Sequence, residues 1–251
     1  MARCSLQDED LLYRLFGKNA ELLIDHAWGY EPCGIADVKA YRPASKSLGE
    51  GQVLQTPYEA EKAKIVMLEM ADALALQLVE KELVTDQVVL TVGYDLENLS
   101  DPERRKHYSG EIVMDYYGRQ LPKHAHGSES LPHYSSSAHE LVAAFSALFD
   151  RIVNSSLTVR RLALSASHVI PESEAGKRTE GYVQLSLFTD YAAEEAEQAE
   201  ETARRERERK LQEATLAIKK KFGKNALLKG RSLLDGATGK DRNEQIGGHR
   251  A

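Results

Sequence analysis

Residues 157–170 read LTVRRLALSASHVI, and this stretch decides the fold. Leu162, Leu164 and Ala166 fall on one side of an extended chain, while Arg161, Ala163, Ser165 and Ser167 fall on the other. Alternation with period two over that length predicts a strand with one buried face. Working outward, Ser137-x-x-Glu140 is a capping box, and Leu141, Val142, Phe145, Leu148, Phe149 and Ile152 form an apolar helical stripe behind it. Further upstream, Gly110–Tyr117 alternates Ile112, Met114 and Tyr116 with Glu111, Val113 and Asp115, and Gln87–Tyr94 is β-branched; both predict strands. Between Gln87 and a possible first strand at Ser45–Leu54, Thr56-Pro57-Tyr58-Glu59 has the chemistry of a helix start. The helix it opens carries Ile65, Leu68, Ala71, Ala75, Leu78 and Val79 on one side, to about Leu83.

The order is therefore βαββαβ, an α+β unit. It closes as a four-stranded antiparallel sheet with both helices on one face, because right-handed crossovers place them together. The other face is left open, and the small and basic side chains of the last strand suit contact with something flat and polar.

Outside that unit, residues 9–29 predict two short helices around Gly17, and 30–44 a Pro- and Gly-punctuated linker. Residues 191–222 contain no Pro or Gly and predict one long helix too polar to pack much of itself. Residues 223–251 hold six glycines and predict a loose tail. The pentapeptide Phe16–Ala20 recurs as Phe222–Ala226, a single echo and no solenoid.

The chain has 251 residues, 42% hydrophobic and 29% charged. No apolar run reaches the roughly 18 residues of a membrane span, and MARCSLQDED has no apolar signal core, so a cytoplasmic protein is expected. Cys4 and Cys33 cannot form a disulfide scaffold or a four-ligand zinc site. Charge is uneven: residues 1–190 carry a balance of −9, while residues 202–251 carry 14 bases against six acids. Contact with a polyanion must then be local or made by the tail, and a solvated helix face is the competing reading.

Taken together, Ser45-Lys46-Ser47-Leu48-Gly49 opening the first strand and Val159-Arg160-Arg161-Leu162 opening the last resemble the little finger domain of Y-family translesion DNA polymerases. The segment LFGKNAELLIDHAWG resembles the end of that family's thumb, and the tail RNEQIGGHR resembles those of Gram-positive relatives of UmuC-type polymerases. The resemblance implies thumb remnant and linker over 1–44, little finger over 45–172, a flexible clamp-binding segment over 173–190, and a charged helix and basic tail over 191–251. It implies DNA as a partner, held through Ser45, Lys46, Ser47, Gly49, Arg160 and Arg161, with hydroxyl, ammonium and guanidinium donors suited to phosphates. Gln184-Leu185-Ser186-Leu187-Phe188 resembles the bacterial sliding-clamp binding pentapeptide. Its glutamine can bond a pocket rim, and Leu187 with Phe188 form an apolar plug. The competing reading is a fifth strand packed on the core.

The family's catalytic carboxylates, which hold Mg in an N-terminal palm, have no counterpart here: Asp115 in MDYYG lacks a second acid in the required arrangement. The expectation is a DNA-repair and SOS-response protein without catalysis or cofactor of its own, either a gene fragment or a split subunit working with a separate palm-containing polypeptide. A standalone regulator competing for the clamp is the rival. The cluster His124, His126, His133 and His139 could suggest a metal-dependent hydrolase, but no acid or Cys is spaced to complete a site. Residues Gly236–Lys240 lack the spacing of a phosphate-binding P-loop.

Overall fold

The computed structural model describes residues 1–41, 46–175, 191–246 and 249–250. The chain divides into two compact units, 1–44 and 45–251.

The first unit holds α1 (Ala2–Ser5), α2 (Glu9–Phe16), α3 (Asn19–Ala27) and α4 (Ile35–Ala40). Asp8 caps α2 by accepting from the Leu11 N–H, and Gly17, at φ 59°, makes the turn to α3 that residues with a Cβ resist. Leu12 and Ala20 are buried in the hairpin, and Trp28 Nε1 donates to Ser5 Oγ at 3.2 Å. The expected pair of helices is present. The stretch read as linker contains α4.

The second unit begins with β1 (Leu48–Tyr58), α5 (Ala60–Glu80) and β2 (Leu83–Tyr94). Short helices α6 (Glu97–Ser100) and α7 (Pro102–His107) and a small hairpin, β3 (Ile112–Met114) with β4 (Gln120–Pro122), lead to β5 (Ala125–Ser135), α8 (Ala138–Ile152) and β6 (Val159–Ser167). The sheet order is β1-β6-β2-β5, antiparallel throughout. Helices α5 and α8 pack together on one face, where Met67, Leu74, Leu78, Leu141, Phe145 and Leu148 meet Val88, Leu90, Leu162 and Leu164 in one core. Burial of this apolar surface is the main stabilising term. The expected βαββαβ layer forms.

Two of its boundaries differ from the sequence reading. Thr56 does not cap a helix: residues through Tyr58 stay in β1, with a register shift between Val53 and Tyr58, and α5 starts after Glu59. Leu54 is buried and Tyr58 packs on the core, so burial overrides the local capping preference. The third sheet strand is Ala125–Ser135 rather than Gly110–Tyr117. Asp115 Oδ1 accepts from the Tyr117 and Arg119 N–H groups and Gly118 sits at φ 76°, so MDYYGR closes a tight turn and the strand stops at Met114.

A short β7 (Ile170–Pro171) pairs with β2, and α9 (Glu172–Ala175) follows. The long helix α10 spans Tyr191–Phe222, as expected, but it does pack. Glu208 accepts from Ser137 Oγ at 2.6 Å and from the His139 N–H at 2.9 Å, closing the N-terminus of α8 with a carboxylate. Arg209 reaches Ser136 and Glu172, and buried Gln212 donates to Ser136 O. The docking rests on polar and charge-assisted bonds, which the composition of the helix concealed.

Residues 223–246 are likewise not a loose tail. They contain a 3₁₀ turn (Gly230–Leu233), α11 (Gly239–Asn243) and the start of a final pair, β8 (Gln245–Ile246) with β9 (His249–Arg250). Two acids on α5 hold this segment. Glu69 Oε2 accepts from the Thr238 and Gly239 N–H groups, and Asp72 pairs with Lys229 at 2.6 Å and Arg231 at 3.4 Å. Glycine at 239 lets the backbone come this close, since a Cβ there would stand 2.6 Å from Glu69 Oε1.

Candidate nucleic-acid interface

Helices cover one face of the sheet, and the register fixes what the other presents. Rows run across it: Gly49, Ser165, Val89 and Ser128; Gly51, Ala163, Thr91 and His126; Val53, Arg161 and Gly93. Gln87 joins Ser167 and Ser130 in a further row. These positions alternate with the buried Val88, Leu90, Val92, Leu162, Leu164 and Ala166. No Asp or Glu stands in any of the rows. The result is a surface of short side chains, rich in hydroxyls and free of carboxylates, on a protein that is acidic overall.

Glycines keep it flat. A Cβ at Gly49 would meet Leu164 O at 3.0 Å and the Ser165 Cβ at 3.3 Å, and one at Gly93 would meet the Arg161 Cβ at 3.2 Å. Gly93 therefore leaves room for the stem of Arg161, which is exposed and forms no ion pair among the described residues.

The neighbouring Arg160 behaves differently. A register shift between Gly93 and Tyr94 opposite this arginine pair turns it off the face. Its Nη1 donates to Gln55 O at 2.8 Å and its Nε lies 3.7 Å from Asp95 Oδ2. The two arginines at adjacent positions thus have separate tasks: Arg160 ties β6 to β1 and to the loop after β2, while Arg161 faces outward. Lys46 and Ser47 are exposed ahead of β1, and Lys46 O accepts from the Val169 N–H, fixing the strand entry. Ser45 and the motif Gln184–Phe188 lie outside the described residues.

Residues 45–187 match the family model described as the impB/mucB/samB family C-terminal domain. The chain belongs to this family. Residues 45–187 are the C-terminal, little-finger part of UmuC-like Y-family DNA polymerases, proteins of DNA repair and translesion synthesis. The matched domain is the family's C-terminal domain, not a catalytic palm. No curated protein sequence matches the chain.

The impB/mucB/samB assignment gives the open face its context, and it exposes what sequence reading missed. His126, Ser128 and Ser130 belong to that face, yet a His-rich stretch containing Pro132 reads as loop. The available signal was the period-two polar spacing of 126, 128 and 130 against Ala125, Gly127 and Leu131. The histidines do not converge: His126 Nδ1 lies 2.8 Å from Thr91 Oγ1, and His133 Nε2 lies 3.0 Å from Glu140. Among the described residues, no group of three His, Cys, Asp or Glu side chains could hold a metal ion. No helix among them is long and apolar enough to cross a membrane.

Proposed function

We propose that the chain is a DNA-binding and clamp-tethering part of a Y-family polymerase, acting in the cytoplasm during the SOS response and making no phosphodiester bonds by itself. DNA lies along the open sheet face. Arg161, Lys46, Ser47 and the hydroxyl rows contact phosphates and sugars, which positions a duplex without reading its sequence. Gly49 and Gly51 let the nucleic-acid backbone come close to β1. Arg160 supports this surface from behind rather than contributing a free guanidinium. The single observation that carries the reading is a flat, carboxylate-free sheet face in a domain of this family.

Gln184–Phe188 takes a bacterial sliding clamp, with Leu187 and Phe188 as anchors. Catalysis, and the Mg it requires, belongs to the family's palm, which the matched residues 45–187 do not include. The test is fluorescence anisotropy of the full chain with primer–template DNA across a salt series, beside pull-down with a bacterial clamp. Salt-sensitive DNA binding together with clamp capture is the expected result. Clamp capture without DNA binding would assign the chain instead to a standalone competitor for the clamp, and Mg-dependent primer extension would contradict the non-catalytic reading.

A further inference from the structure

The basic C-terminal segment has no part in the open face, yet the fold gathers its charges. A cleft of about 690 Å³ lies between the outer side of β1, the end of α5, the last turn of α10 and α11. Five cations line it: Lys81, Lys219, Lys220, Lys224 and Arg242. Only two carboxylates share it. Glu80 is committed to Lys220 at 3.0 Å, and Glu50 is hydrogen-bonded by Gln77. Burial pushes the Glu50 carboxyl above its ordinary pKa, against the pull of Arg242 and Lys224. Among the described residues, Lys81, Lys219, Lys224 and Arg242 form no ion pair.

This clustering is imposed by the backbone. Gly223, at φ 97°, ends α10 and turns the chain back, and Lys219 Nζ donates to Lys224 O at 2.7 Å, which holds the two lysines side by side. Arg242 is set in place by α11, which Glu69 anchors, and its Nη1 reaches Gln52 Oε1 at 3.3 Å. Like charges brought together raise the free energy of the folded chain, and a compact anion relieves that cost. Ammonium groups, with one fork-shaped guanidinium among them, match the oxygens of phosphate.

We propose that this cleft is a phosphate-binding site, built by the C-terminal helix and tail against the edge strand of the sheet. The phosphate comes either from the backbone of DNA continuing past β1 or from a free polyphosphate; for DNA, the proposal rests on the open-face reading above.

The experiment compares the full-length wild type with the double variant Lys81→Gln and Lys224→Gln, using primer–template DNA and inorganic tripolyphosphate as probes. Both lysines are exposed, and equal melting temperatures check the fold. DNA binding weakened about tenfold, with a salt slope smaller by about two, supports the site with DNA as the source. Unchanged DNA binding with loss of tripolyphosphate binding supports it with free phosphate as the source. Arginine at both positions restores binding in either case. A double variant indistinguishable from wild type with both probes overturns the proposal. Arg161→Gln in parallel separates the two readings: a defect there with a normal double variant removes the cleft and keeps the open face, and the reverse result removes the face and keeps the cleft.

Discussion

Asn98 clasps the backbone of Thr158 from both sides. Its Nδ2 donates to Thr158 O at 2.9 Å, and its Oδ1 accepts from the Thr158 N–H at 2.8 Å. Both residues are buried, so these bonds replace water that cannot enter. The clasp holds the loop after β2 against the start of β6, where Asp95 meets Arg160 and where Arg161 turns toward the open face.

Asn98→Ala leaves both backbone groups of Thr158 without that partner. Thr158 O keeps its bond from the Asp95 N–H at 3.0 Å, so only the Thr158 N–H is orphaned, and chemical denaturation is expected to show a loss of about 1–3 kcal/mol. DNA binding weakens as well, because β6 loses its fixed entry. Unchanged stability would mean that water or a shifted loop replaces the amide.

Glu208 tests whether α10 is docked by its polar bonds. Glu208→Ala removes the carboxylate that bonds Ser137 and the His139 N–H, with an expected cost of about 1 kcal/mol. Hydrogen exchange should speed up along α10 and the first turn of α8 while β2 and β6 stay protected. Uniform protection in the variant would refute this account of the docking.

Acid should weaken the same region. Burial tends to raise the Glu140 pKa, but bonding with Ser135 and the charges of His133 and Arg205 outweigh it and hold the carboxyl below its ordinary value of 4.5. The folded state therefore favours the ionised form. That stabilisation is complete above the ordinary value and disappears as pH falls through the lower folded-state value. Denaturation midpoints of wild type and Glu140→Gln, measured from pH 6 downward, should converge over that window; parallel curves would exclude Glu140 as the source.

Leu187→Ala with Phe188→Ala should abolish clamp capture and leave the melting temperature nearly unchanged. A large drop in melting temperature would support the reading of residues 184–188 as a core strand.

The layer was legible in the sequence because its helices and its last strand carry long unbroken apolar patterns. Leu162, Leu164 and Ala166 announced the buried face, and Phe145 with Leu148 the helix above it. What escaped was structure held by polar groups. β5 has only weak apolar residues on its inner side, since Gly127 lies where a Cβ would stand 3.0 Å from the Ile152 side chain. The docking of α10 and the tail depends on Glu69, Asp72 and Glu208, acids that in sequence resemble any solvated helix face. Arg160 and Arg161 look equivalent as a dipeptide; only the register shift beside them separates the inward brace from the outward donor.

The central claim is that nucleic acid lies on a face without carboxylates. Ala163, between Gly51 and Thr91 in the middle row, is the place to break that property. Primer–template binding by Ala163→Glu, followed by anisotropy beside the wild type at equal ionic strength, is the decisive measurement. The account predicts affinity lower by at least about tenfold with the fold intact, since one carboxylate beside phosphates repels them. Wild-type affinity in the folded variant would contradict it.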